Sequence, residues 1–486
     1  MDYLLFYDYC PDILERRDPF RARHLEHAWK AQAEGRLVLA GALASPVDAA
    51  VFHFRCASAD EVAAFAKEDP YVTAGLVVDW RVREWATVVG AEAATPLGRP
   101  APATGFDDLD LGELRRRRGA KWAKCPPDAI AAWVADMDFP VAEPIRRALH
   151  QMTEASDLGY PPAPTAAGLA TIFASRMRER FGWTVDPGDV EILTDVVQGL
   201  HLSVGLYSRP GDAVVTPSPI YPPFLQAVFD NGRRPVWMRY ELTADGYRID
   251  FERLRRELVP DARVMLVCNP HNPTGRVLTR AELDELAAIA IERDMVVISD
   301  EIHADLAYGG HRHVPIATLS PEIARRTVTL TSASKAFNIA GLRCAVAAFG
   351  SPELKRRFRS VHHHARGGLG APGLAATAAA WTQGDPWLDR AVRYLEGNRD
   401  LVVEHVRSRW PRVRMGVPEA TYLLWLDFGA LDLPSTPDEF FLAKGRVMLS
   451  VGREFGEGFA ACTRLNFATS RGILREVLGR MDAALR

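Results

Sequence analysis

Cysteine is scarce in this 486-residue chain, and none of the six (Cys10, Cys56, Cys125, Cys268, Cys344, Cys462) lies near another in sequence. That argues against a disulfide framework and against a cysteine zinc site, and it fits a reducing compartment. No stretch reaches the roughly 18 uninterrupted apolar residues that a membrane-spanning helix requires. The opening residues Met1-Asp2-Tyr3-Leu4-Leu5 lack the basic start of a secretory signal. Together these absences predict an unexported, cytoplasmic protein. An excess of one charge is missing too, since 59 Lys and Arg face 62 Asp and Glu for a formal charge of −3. No nucleic-acid or anionic-membrane surface is expected, and the predicted partners are small molecules. Otherwise the chain is ordinary: 48% hydrophobic and 25% charged residues, over a length that fits two or three domains with a large core.

Two further signals fail on inspection. Gly368-Leu369-Gly370-Ala371-Pro372-Gly373 satisfies G-x-G-x-x-G, but no apolar strand precedes it and a proline interrupts it, so it reads as a loop. His362-His363-His364 lacks the i,i+4 spacing of a helical zinc pair, and adjacent side chains are expected to diverge, so no metal site is expected.

What is present centres on Ser332-Ala333-Ser334-Lys335-Ala336-Phe337-Asn338-Ile339-Ala340-Gly341, which follows the apolar, threonine-rich run Thr327 to Thr331. That run reads as a buried strand, with a lysine just past its end. Ser332, Ser334 and Arg343 can surround a phosphate while the Lys335 amine stays free. Upstream, Cys268-Asn269-Pro270-His271-Asn272-Pro273-Thr274-Gly275 follows the apolar run Val264 to Val267, and Ser299-Asp300-Glu301-Ile302-His303 ends another. Open α/β sheets bind ligands outside the carboxyl ends of their strands, so Asn272, Asp300 and Lys335 can converge. Their spacings of 28 and 35 residues fit strand, helix and strand.

These segments resemble the fold-type I pyridoxal-phosphate (PLP) enzymes of the class I/II aminotransferase superfamily, over about residues 106 to 486. Trp133-Val134-Ala135-Asp136-Met137-Asp138-Phe139, Leu158-Gly159-Tyr160, Ser299 to His303 and Thr421 to Asp427 are similar to the cystathionine β-lyase branch, which includes a maltose-regulon modulator. The resemblance implies an α/β fold with a large parallel or mixed-sheet domain (about 150–386) and a small α/β domain (106–149 and 387–486). It also implies roles. Lys335 engages the cofactor aldehyde and then moves the substrate's α-proton; Asp300 pairs with the ring nitrogen; Asn272 and His303 reach the ring; Tyr221 stacks on it and assists catalysis. Val197 and Gln198 open a helix whose free N–H groups suit the phosphate, beside Ser332, Ser334 and Arg343. Tyr160 matches a tyrosine that reaches the phosphate of a second subunit, which implies a homodimer. Arg464 matches the arginine that forks onto the substrate's α-carboxylate, with the backbone of Ala135, Asp136 and Met137 alongside.

The implied activity is carbon–sulfur β-elimination from an S-substituted cysteine, releasing a thiol, pyruvate and ammonia. Arg343 leaves transamination open, because the lyase branch often carries a neutral residue there. The excess of arginine over lysine leaves open a specialised-metabolism enzyme that eliminates or oxidatively decarboxylates a cysteine conjugate. The modulator in this branch leaves open a regulatory protein partner.

Ahead of this region, residues 2 to 86 read as β-α-β-β-α-β, a ferredoxin-like pattern. Arg23-His24-Leu25, Leu39-Ala40-Gly41 and Asp69 to Leu76 are similar to the YCII-related family, assigned to residues 1–88. That resemblance places His24 and Asp69 at positions suspected of catalysis. On chemistry alone, Asp69 can instead cap the chain before Pro70 and His24 can be a surface helix residue. Residues 89–105, rich in Ala, Pro and Gly, read as a linker. The basic run Arg115 to Arg118, with Lys121 and Trp122 behind it, reads as a solvated face.

Overall fold

The computed structural model describes residues 1–87, 105–161 and 168–486, and the chain divides into two compact units, Met1–Thr104 and Gly105–Arg486. The expected linker lies outside the described residues except for Gly105.

In the first unit, alternate residues of Asp2–Tyr9 and Ala49–Arg55 point to one side, burying Tyr3, Leu5, Tyr7, Phe52 and Phe54. The helices Asp18–Ala33 and Ala59–Glu68 accompany the sheet, and Val62 and Phe65 complete the core. The strand order is Leu37–Ala42, Ala49–Arg55, Asp2–Tyr9, Val77–Glu84, with every neighbouring pair antiparallel, which is the ferredoxin-like arrangement. Asp69 caps the short helix Pro70–Thr73 by accepting the Tyr71 N–H at 2.8 Å. His24, by contrast, is buried rather than a surface residue. Its Nδ1 lies 2.8 Å from Asp69 and its ring stacks on Tyr71 at 3.9 Å, while the Tyr7 hydroxyl donates to the same carboxylate at 3.2 Å. A fully enclosed carboxylate needs these partners, and His24 is drawn inward to supply one.

The second unit is built on an eight-stranded sheet in the order Val190–Leu193, Ala345–Phe349, Thr327–Thr331, Val296–Asp300, Ala262–Cys268, Ala213–Ser218, Arg234–Thr243, Gly246–Ile249. Five consecutive strands, from Thr327–Thr331 to Arg234–Thr243, run parallel, and Ala345–Phe349 runs against them. The central strands are buried on both faces, as a sheet covered on both sides requires. Gly199 lets the helix Val196–Tyr207 approach this sheet closely, since a Cβ there would lie 2.8 Å from methyls of Leu193 and Leu330. The helix N-terminus is thereby fixed at the strand ends.

After the long helix Asp385–Arg409 comes a three-stranded antiparallel sheet of Leu423–Asp427, Cys462–Asn466 and Ser450–Val451. Val447–Met448 pairs with Ile130–Ala131, which ties the early segment to the C-terminal strands. Three local expectations need correction. Gly373 is helical, because Ala371–Gln383 begins inside the glycine motif with Pro372 in its first turn, a position that needs no N–H. The rings of His362, His363 and His364 lie against one another, with centroids 4.1–5.4 Å apart, because the turn from His362 to Arg366 gathers them on one side. Arg115 to Arg118 are exposed as expected, but Lys121 is buried against Asp138 at 2.9 Å.

Candidate active site

Strand register brings the central residues together. Cys268 stands beside Asp300, and Asp300 beside Leu330, so Asn272 lies just beyond one strand end and Lys335 just beyond another. Around them is a cavity of about 360 Å³ lined by Ala135, Val197, Tyr221, Asn272, Asp300, His303, Ser332, Ser334, Lys335 and Arg343. Arg464 joins this group through Asn272, whose Oδ1 accepts from Nη1 at 2.8 Å, while Nη2 donates to the Trp133 carbonyl at 3.0 Å. Asp136 brings a carboxylate oxygen to 4.0 Å from Lys335 Nζ. Met137 is buried and reaches neighbours through its backbone. Tyr160 is fully exposed and lines no part of the cavity.

The electrostatics follow from enclosure. Burial pushes the Lys335 amine below its ordinary value, with Asp136 acting in the opposite sense. Burial raises the Asp300 carboxyl to about 7, against the lowering effect of the Ile302 N–H, which donates to it at 3.0 Å. Burial, then the charges of Lys335 and Arg464, lower His303 to about 3, so its ring is neutral near pH 7. Arg464 is lowered by burial to about 10 and stays a cation. Burial also raises the Tyr221 phenol.

Several contributors carry no sequence signal of their own. The Ala135 carbonyl accepts from Lys335 Nζ at 2.8 Å and from the Tyr422 hydroxyl at 2.9 Å. Asn466 Nδ2 donates to the Val134 and Asp136 carbonyls at 2.6 and 2.7 Å, and Asn338 brackets Met137 by accepting its N–H and donating to its carbonyl. The partners of a backbone acceptor are invisible in a sequence; Tyr422 and Asn338 stood inside the motifs without an evident role, and Asn466 lies two residues past Arg464.

The expected phosphate cup differs in detail. Gln198 turns its side-chain oxygen back onto the Thr194 N–H at 3.2 Å, and its own N–H is taken by Asp195, the helix N-cap, at 2.8 Å. Arg343 pairs with Asp195 at 2.8 Å. The Ser332 hydroxyl donates to the Cys344 carbonyl at 2.6 Å and accepts the Ser334 N–H at 3.0 Å. An aspartate directly before a helical run is the readable sign of such a cap.

Residues 135–481 match the family Aminotransferase class I and II. The chain belongs to that family. Residues 1–86 match the YCII-related domain. Among relatives of the aminotransferase part, the cystathionine beta-lyase of Corynebacterium glutamicum is 35% identical over 77% of this chain and 99% of its own. Cystathionine beta-lyase PatB of Bacillus subtilis is 38% identical over 74% of this chain and 93% of its own. The solved structure of the PLP-bound C-S lyase from Staphylococcus hominis superposes with a TM-score of 0.73 at 29% identity, covering 78% of this chain and 98% of that one.

The cavity of this family member suits PLP on its own chemistry. A buried carboxylate held by a single backbone N–H at Asp300 calls for a facing cation, which a protonated ring nitrogen provides. Among the described residues, His303 Nδ1 and Arg464 Nε are buried polar atoms without a partner, so the pocket holds unspent hydrogen-bonding capacity.

Proposed function

We propose that the chain is a PLP-dependent carbon–sulfur β-lyase acting on an S-substituted cysteine, with Lys335 and Tyr221 as catalytic residues. The observation that carries this reading is the convergence of Lys335, Asp300, Asn272 and Tyr221 on one cavity, with the Arg464 guanidinium bonded to Asn272. Relatives bearing lyase names at 35% and 38% identity support the same choice.

When bound, PLP supplies an electron sink that stabilises negative charge at the substrate's α-carbon. The protein's share is positional. Asp300 would supply the negative charge that pairs with the ring nitrogen, and Asn272 and His303 would offer polar groups to the ring. Arg464 presents the cationic fork for an α-carboxylate, fixed by its bonds to Asn272 and Trp133. Burial keeps the Lys335 amine more easily deprotonated, as a nucleophile toward the aldehyde and a carrier of the α-proton must be. Departure of the thiol leaves a three-carbon enamine, which water converts to pyruvate and ammonia.

Val197, Gln198, Ser332, Ser334 and Arg343 form the phosphate end. Tyr160, fully exposed in a single chain, fits a homodimer in which Tyr160 of the partner subunit reaches that end. A cytoplasmic enzyme on a small amino-acid substrate completes the reading.

The test is to incubate the full chain with S-alkyl cysteines and identify products by mass spectrometry. Pyruvate and free thiol are expected. A sulfur-retaining keto acid would assign transamination, and an aldehyde would assign oxidative decarboxylation. Lys335→Ala should abolish turnover and borohydride labelling while the fold persists by circular dichroism; full activity in that variant overturns the reading.

A further inference from the structure

We propose that the Asp195 carboxylate is a built-in competitor for the phosphate of the cofactor, holding the very donors a phosphate would use and so setting how tightly the cofactor is retained. This rests on the reading that the cavity takes PLP. Asp195 lines that cavity with Val197, Ser334, Lys335 and Arg343. One of its oxygens accepts the Gln198 N–H at 2.8 Å, and the other pairs with Arg343 Nη2 at 2.8 Å. A carboxylate at a helix N-terminus, bonded to a backbone N–H and a guanidinium, offers the same chemistry as a bound phosphate.

Two of the remaining donors of the cup are committed as well. The Ser332 hydroxyl hydrogen is committed to the Cys344 carbonyl, and the Ser334 N–H to Ser332. An arriving phosphate therefore displaces Asp195 from its partners or settles beside a like charge, and both lower its affinity. The Arg343 side chain is 64% exposed, so it is free to exchange one anion for the other. Exchange of an internal for an external anion makes retention reversible and sensitive to this one residue.

The experiment compares the full chain with Asp195→Asn by equilibrium dialysis against graded PLP and, separately, against pyridoxal, in phosphate-free buffer. Asparagine keeps the N-cap acceptor and the side-chain volume while removing the charge. The expected result is PLP bound about tenfold more tightly by the variant, the order of effect of one nearby charge in a partly solvated site. Pyridoxal, which lacks the phosphate, should bind both proteins equally. Asp195→Ser, which also caps a helix, should repeat the result and covers the case in which the asparagine variant fails to fold. PLP affinity that is unchanged or weaker in the variants overturns the inference and makes Asp195 a support for Arg343. If neither compound binds either protein, the cofactor reading itself falls, and the inference with it.

Discussion

At the scale of single residues, Asp300 turns the site's demand into a measurable stability effect. Its carboxyl is raised from 3.8 to about 7 by burial, so between those values the folded chain keeps a proton that the unfolded chain has lost. Stability contributed by this group is present below pH 4 or so and is lost as pH rises toward 7. In cofactor-free protein, Asp300→Asn should therefore raise the melting temperature at pH 8, and the gain should shrink at pH 5. A lower melting temperature for the variant at pH 8 would contradict the burial argument. A cation facing the carboxylate reverses the preference, so PLP should stabilise the wild type far more than Asp300→Asn. Scanning calorimetry at the two pH values, with and without PLP, measures both effects. The aspartate thus costs the empty protein stability that the loaded protein recovers.

At the scale of elements, the segment from Val134 to Phe139 forms a strap whose carbonyls are claimed by side chains from distant parts of the second unit. Asn466 donates to Val134 and Asp136 and accepts the Ala468 N–H at 2.7 Å; Asn338 donates to Phe139 at 2.9 Å. Asn466→Ala strips three hydrogen bonds from a buried position and should cost about 1–3 kcal/mol, the penalty for buried groups left unpaired. It should also lower turnover, because Ala135, which positions Lys335, lies between the two released carbonyls. Equal urea midpoints for variant and wild type would refute the strap. Much of the second unit was legible in sequence: the apolar runs at Val264, Val296 and Thr327 lie in the strands Ala262–Cys268, Val296–Asp300 and Thr327–Thr331, whose ends carry Asn272, Asp300 and Lys335. Long apolar runs with polar ends leave a clear pattern. The strap was marked only by the resemblance of Trp133 to Phe139; which side chains hold its carbonyls was not legible, since peptide carbonyls are shared by every residue. Lys121 and the surface alternative for His24 fail for a related reason: a charged or polar residue looks solvated until its buried partner, Asp138 or Asp69, is brought near by folding.

At the scale of the whole molecule, two units with separate cores are joined in one chain. The first has its own four-stranded sheet and a core that includes Leu5, Tyr7, Phe52, Phe54 and Phe65. The residues proposed to bind cofactor and substrate fall between Ala135 and Arg464, within the second unit. The Corynebacterium and Bacillus relatives match over 99% and 93% of their own length yet cover only 77% and 74% of this chain. A chain lacking residues 1–104 should therefore keep PLP binding and turnover on a small S-alkyl cysteine. The first unit nevertheless has chemistry of its own to test. Its Tyr7, His24 and Asp69 meet out of solvent, and His24 Nδ1 approaches both oxygens of the Asp69 carboxylate, at 2.8 and 3.0 Å. If that cluster served the lyase reaction, the truncated protein and His24→Ala would both lose turnover. The expectation is that neither does, and that any change appears in substrate choice or assembly. Steady-state kinetics on the two proteins decide the matter, because a hundredfold fall in turnover, about 2.7 kcal/mol of barrier, would make the first unit part of the chemistry.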